Sequence, residues 1–200
     1  MGARTKSASR PQLGPLLRRL VGDAARRLPE LSHVRAAQVL VVAGEARRAS
    51  RATIRPLLGE GRPEVFFRGQ RILYIVTLRP HFFRRSTPQA RVETILHELF
   101  HISSRFDGSL HSGRRHAALP GRRFARRLRP LVHRYLAEMP PELLEALGQN
   151  GELLVRQWLE KPPLSVRGRR AIRRRYDEAQ LFLGPVRMIT PRAPREAQSQ

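Results

Sequence analysis

His97 and His101 are four residues apart, with Glu98 directly after the first. On an α-helix that spacing sets two imidazoles about 40° apart, one turn above the other, on a single face. Two ring nitrogens so placed can ligate one zinc ion. A glutamate beside them can take the proton of a zinc-bound water as that water attacks a carbonyl carbon. Zinc brings the pKa of its water towards about 7, so the nucleophile exists at neutral pH. The chain has no cysteine. Thiolate zinc sites, disulfides and cysteine nucleophiles are thereby excluded, and any metal must sit on His, Asp or Glu.

The element that must carry this motif is legible around it. Ser86 or Thr87 can cap a helix that has Pro88 at its first position and runs through His101 to about Ser103. Val92, Ile95, Leu96, Leu99 and Ser103 fall on the side opposite the two histidines, with Ile102 near its edge. One face is built to pack and the other presents His97, Glu98 and His101 to an opening. A surface helix with histidines four apart by chance has no reason to obey that division.

Upstream, Leu16, Leu17, Leu20, Val21 and Ala24 recur at helical spacing between arginines, which predicts a basic amphipathic helix over 15–28. Val39-Leu40-Val41-Val42 predicts a buried strand within 38–43. A weaker strand at 52–57 is limited by Pro56. Val65-Phe66-Phe67 and 72–78, joined through Arg68-Gly69-Gln70, predict a hairpin with a glycine turn. Strands 38–43 and 72–78 are expected in one sheet, packed on the apolar face of the 88–103 helix. Downstream, 105–120 reads as irregular. Phe124, Leu128, Leu131, Val132, Tyr135 and Met139 predict a second helix, kinked at Pro130 and ended by Pro140-Pro141. Segments 153–159 and 180–189 read as late strands. The expected organisation is a flexible basic arm at 1–12, one domain at 13–190 and a polar, disordered tail at 191–200.

Thr94-Ile95-Leu96-His97-Glu98-Leu99-Phe100-His101-Ile102 resembles the extended zincin metallopeptidase signature, in which uncharged residues flank HExxH. Ser103 departs from it, where an apolar residue is usual. The stretch from His97 to His116, with Phe106-Asp107-Gly108 inside it, resembles a family of small metallopeptidases from phages and bacteria. So does the segment from Tyr176 to Thr190, with Asp177-Glu178-Ala179-Gln180-Leu181-Phe182. A looser similarity is to SprT-like proteases, which act on DNA-bound proteins. The resemblance implies a zincin-like α+β fold, with a small mixed sheet packed on the HExxH helix and further helices around it. It also implies a Zn2+ cofactor and a protein or peptide substrate.

Catalytic zinc needs a third protein ligand. His116, fifteen residues after His101, is the preferred candidate: a connecting loop can carry it back, and its position best matches the resembled family. His111, ten residues after His101, competes closely. Asp107 has metzincin spacing, but Ser104 stands where that pattern wants glycine and Gly108 comes too late for its turn. The remaining histidines His33, His81 and His133 read as surface or capping residues. Tyr176 and Arg115 are candidates to stabilise an oxyanion.

Charge carries a second reading. There are 39 Lys+Arg against 16 Asp+Glu, a net +23 at pH 7, and only Lys6 and Lys161 are lysines. Arginine pairs such as Arg18-Arg19, Arg122-Arg123 and Arg126-Arg127, with the run Arg173-Arg174-Arg175, can form phosphate-contacting stripes. No helix-turn-helix or aromatic RNA-binding signature accompanies them, so any DNA or RNA binding is expected to be non-specific. Two function classes follow. The first is a zinc metallopeptidase in which Glu98 activates the water, with substrates that include nucleic-acid-associated proteins. The second is a basic nucleic-acid-binding protein with a structural or degenerate metal site. No apolar run approaches a membrane span, and Met1 to Gln12 lacks the apolar stretch of a secretory signal. A cytoplasmic protein is expected, with no signal of oligomeric state.

Overall fold

The computed structural model describes residues 13–44, 50–57, 64–114, 121–148, 152–158, 175–176 and 182–189. The basic arm, the C-terminal tail and 115–120, which contains His116 and Arg115, lie outside them. Helix α1 (Leu13–Arg27) is followed by strands β1 (Val39–Ala43), β2 (Ala52–Pro56), β3 (Glu64–Phe67), β4 (Gln70–Ile72) and β5 (Tyr74–Leu78). Then come α2 (Pro80–Arg85), α3 (Pro88–Phe100), α4 (Gly121–Glu138), α5 (Pro141–Gly148) and strands β6 (Glu152–Trp158), β7 (Arg175–Tyr176) and β8 (Phe182–Ile189). No described helix is long and apolar enough to cross a membrane.

The sheet that matters for the site is mixed and three-stranded. Its middle strand, β5, pairs in parallel with β1 and antiparallel with β2. The apolar run of β1 is continuous because both of its faces are covered. Val39, Val41 and Ala43 join the main core with the helices. Leu40 and Val42 face a second core with Leu57, Val65, Phe67, Ile72 and Ile75.

The expected hairpin forms, with Phe67 opposite Gln70 and a two-residue turn at Arg68-Gly69. Both turn residues have positive φ, 50° and 74°, the geometry whose twist suits adjacent antiparallel strands. The 72–78 strand, however, is not one strand. It divides at Leu73: β4 stays with β3, and β5 crosses into the mixed sheet. The division places Ile72 in one core and Tyr74 in the other.

Helix α3 begins as expected. The Thr87 hydroxyl accepts the Ala90 N–H at 3.2 Å, and Pro88 fills the first position, where no N–H is needed. Val92, Ile95, Leu96 and Leu99 are fully buried, each stabilising by roughly 1.5–3 kcal/mol. The helix stops at Phe100, earlier than the expected Ser103, and His101 is its C-cap.

Two short helices that sequence periodicity misses, α2 and α5, are tied to α3 by Arg91. This side chain is almost fully buried. Its Nε donates to the Phe83 carbonyl at 3.0 Å, its Nη1 donates to the Leu147 carbonyl, and its guanidinium lies 4.5 Å from the Phe83 ring centre. Helix α4 shows no interruption at Pro130. That proline is exposed, so water can take over the carbonyl left by its missing N–H. Buried Asp23 joins α1 to α4, accepting from the Tyr135 hydroxyl at 3.0 Å and from Arg27 Nε at 3.0 Å.

Candidate metal centre

The last turn of α3 brings His97 and His101 together, with ring centres 5.0 Å apart and planes at 75°. Two imidazoles holding one zinc at about 2.0–2.1 Å and near-tetrahedral angles have centres roughly 5 Å apart. The pair therefore fits a shared ion. His101 Nδ1 lies 2.7 Å from the Arg114 carbonyl, which can only accept. The proton is thus on Nδ1, and the lone pair of the neutral ring is on Nε2, the arrangement that second-shell carbonyls impose on metal-binding histidines. Phe124 of α4 packs on both rings, at 4.6 Å from His97 and 4.9 Å from His101. That aromatic wall limits how far either imidazole can turn.

Glu98 and His101 line an opening, as expected of this helix face, although both side chains are nearly buried. Glu98 is 6% exposed and faces the sheet edge. Burial pushes its carboxyl up to about 7, while a hydrogen bond from the Ile54 backbone N–H pulls in the other direction. Ile54 is the central residue of β2, so an edge strand of the mixed sheet delivers a donor to this carboxylate. A pocket of about 260 Å³ opens there, lined by Ser50, Ala52, Thr53, Ile54, Glu98, His101 and Leu110. Its aliphatic walls come from β2 and from the loop after α3.

That loop is held by Tyr74. The buried tyrosine accepts the Gly108 N–H at 2.9 Å and donates to the Ser109 carbonyl at 2.9 Å. Burial pushes its hydroxyl up to about 12, so it keeps the proton it donates. Phe106 and Gly108 both take positive φ, and Phe106 packs on the Tyr74 ring at 5.2 Å. The loop then returns to α3: the His111 N–H donates to the His101 carbonyl at 2.8 Å, and Ile102 pairs with Leu110.

Among the described residues no third His, Asp or Glu completes a cluster with His97 and His101. Asp107 is occupied by its own loop, taking the Ser109 hydroxyl at 2.5 Å, the Ser109 N–H at 3.1 Å and Arg105 at 3.2 Å. His111 is partly exposed, and its Nδ1 accepts the Gly113 N–H at 3.1 Å. Partial burial and the nearby Arg114 cation lower its pKa. Tyr176 lies in β7 beside Val65 of β3.

His33, expected at the surface or as a cap, reaches the backbone just past the C-cap of α3. It is half-buried, with a hydrogen bond to the Ile102 backbone, and burial, then Arg114, lowers its pKa. His81 and His133 are exposed, as expected. Sequence reasoning missed the supporting parts played by Ile54, Tyr74, Arg114 and His33. It read Phe124 only as one apolar position of a helix.

The end of α3 thus sets two histidines and a buried carboxylate beside a sheet edge, side chains of the types that can hold a metal ion. Residues 10–123 match the family described as "Putative phage metallopeptidase", and the chain belongs to that family. The matched region takes in the mixed sheet, all of α3 and the loop that follows it. The family's description implies a metal cofactor and protein substrates. No curated protein and no solved structure matches the chain.

Proposed function

We propose that the protein is a zinc metallopeptidase, with His97, His101 and His116 as ligands and Glu98 as general base. The observation that carries the reading is the pair of oriented imidazoles beside one buried carboxylate. Zinc held there supplies Lewis-acid polarisation of a carbonyl oxygen and a lowered pKa for water. Glu98, with a carboxyl near neutrality, is poised to accept a proton at physiological pH. It takes the proton of the attacking water as the oxygen bonds to the peptide carbonyl carbon. It then passes that proton to the departing amine as the C–N bond breaks. The Arg114 carbonyl keeps His101 in one tautomer, and Phe124 holds both rings in place.

The substrate is an extended peptide that lays one aliphatic side chain into the pocket between Ile54, Ala52 and Leu110. Proteins associated with nucleic acid are included among the substrates because of the chain's net charge of +23. The deciding experiment compares wild type with Glu98→Gln on an unfolded protein substrate, with zinc content measured in both. Equal zinc and cleavage lost only in the variant supports the reading. Equal cleavage by both refutes it.

A further inference from the structure

The arginines of this chain are not equivalent in the folded protein. Those of α1 are engaged internally: Arg19 pairs with Glu142 at 3.0 Å, Arg26 and Arg27 pair with Asp23, and Arg18 lies over the Phe67 ring. Arg71 pairs with Glu64, Arg105 with Asp107, and Arg114 stacks over Phe100 at 4.1 Å. On α4 the pattern reverses. Arg122, Arg123, Arg126, Arg127 and Arg129 are all exposed, and none forms an ion pair among the described residues. Only Arg134, further along, has an acid, Glu30 at 2.6 Å. An arginine-rich composition alone explains the number of arginines. It does not explain why five exposed arginines without ion pairs among the described residues share one face of a single helix.

We infer that the outward face of α4 is a docking surface for the phosphate backbone of nucleic acid. Residues 122–129 span about 10 Å of helix axis. Duplex DNA carries about six phosphates over that length, so the charge densities match. A lipid surface fits less well. Peripheral membrane helices insert their apolar face, and that of α4 is spent: Phe124, Leu128, Leu131, Val132 and Tyr135 are buried in the protein core.

The stripe also adjoins the candidate centre. Arg127 acts electrostatically on Arg114 and on His111, and Phe124, on the inner side of the same turns, packs on His97 and His101. A nucleic acid on α4 would thus lie beside the site. The inference itself does not require that site to be catalytic.

The test is duplex DNA binding by the full-length chain across a salt series, read by fluorescence anisotropy. Three double variants are compared with wild type. Arg122→Gln with Arg126→Gln removes two charges from the stripe. Arg35→Gln with Arg85→Gln removes two exposed arginines elsewhere that also lack ion pairs among the described residues. Arg122→Lys with Arg126→Lys keeps the stripe's charge.

The stripe variant is expected to flatten the log–log salt slope by about 1.8, which corresponds to roughly sixtyfold weaker binding near ~0.1 M salt. The charge-matched control should keep the wild-type slope, and the lysine pair should restore it, since phosphate accepts a point charge. Equal losses in the two glutamine pairs would reduce the effect to net charge and overturn the assignment. So would absence of duplex binding by wild type. Tighter binding to phosphatidylserine vesicles than to duplex, lost in the same stripe variant, would also overturn it and assign the face to membranes.

Discussion

Replacing Glu98 by glutamine in the metal-free protein tests the environment of the proposed base without any catalytic assay. The carboxyl is 6% exposed, and burial raises its pKa from the ordinary 4.5 to about 7. Below pH 4.5 the group is protonated in both the folded and the unfolded chain and imposes no penalty. Between 4.5 and about 7 the unfolded chain releases the proton while the folded one retains it, so stability falls as pH rises. Above about 7 the loss is complete. At ~1.4 kcal/mol per pH unit, that interval corresponds to about 3 kcal/mol.

Glutamine keeps an oxygen to accept the Ile54 N–H and has no charge to bury. Its stability should therefore lack this slope and exceed that of chelated wild type at pH 7.5 by up to ~3 kcal/mol. Urea unfolding of both proteins at several pH values, in the presence of chelator, gives the difference directly. Parallel stability curves through the window would refute the buried, strand-contacting carboxylate. Saturating zinc should shrink the gap, since a dication near the carboxylate favours its ionised form.

Further outcomes follow from the same contacts. Tyr74→Phe leaves the Gly108 N–H and the Ser109 carbonyl without their partner. It should cost about 1–3 kcal/mol in denaturant unfolding and speed proteolysis of the 103–111 loop. His97→Ala should abolish stoichiometric zinc, measured by metal analysis of the purified protein. His116→Ala should weaken zinc more than His111→Ala does, and the reverse ranking would move the third ligand to His111. Ala52→Val adds two methyl groups to a pocket wall. It should lower kcat/KM for peptides with bulky aliphatic side chains by about 10–200-fold while sparing those with alanine, read from a peptide series.

Much of this fold is local and therefore legible in the chain. The cap at Thr87, the proline at 88 and the apolar stripe from Val92 to Leu99 state where α3 begins and which face it buries. The uninterrupted Val39–Val42 run marks a buried strand, and the glycine within Arg68-Gly69-Gln70 marks a hairpin turn, which the structure narrows to two residues. The spacing of His97, Glu98 and His101 names the class of chemistry. In each case the information lies within one or two turns of helix or one strand, where periodicity reports it.

Other features depend on which segments meet. Nothing near Leu73 in sequence shows that the chain changes sheets there; the division reflects pairing of β5 with β1 and β2. The helices α2 and α5 are too short for periodicity to reveal, and they owe their place to Arg91 reaching carbonyls on both. The same holds at the site. Ile54 is 44 positions before Glu98 and Phe124 is 23 beyond His101. Yet the first sets the carboxylate's environment and the second walls both imidazoles. The sequence alone determines that two imidazoles and a carboxylate share one helix end. Only the tertiary structure decides that the carboxylate is buried against a strand edge, that one imidazole is fixed by a loop carbonyl, and that arginines without ion partners among the described residues line the neighbouring helix. Burial and charge pairing arise when distant segments pack, and no local spacing encodes them.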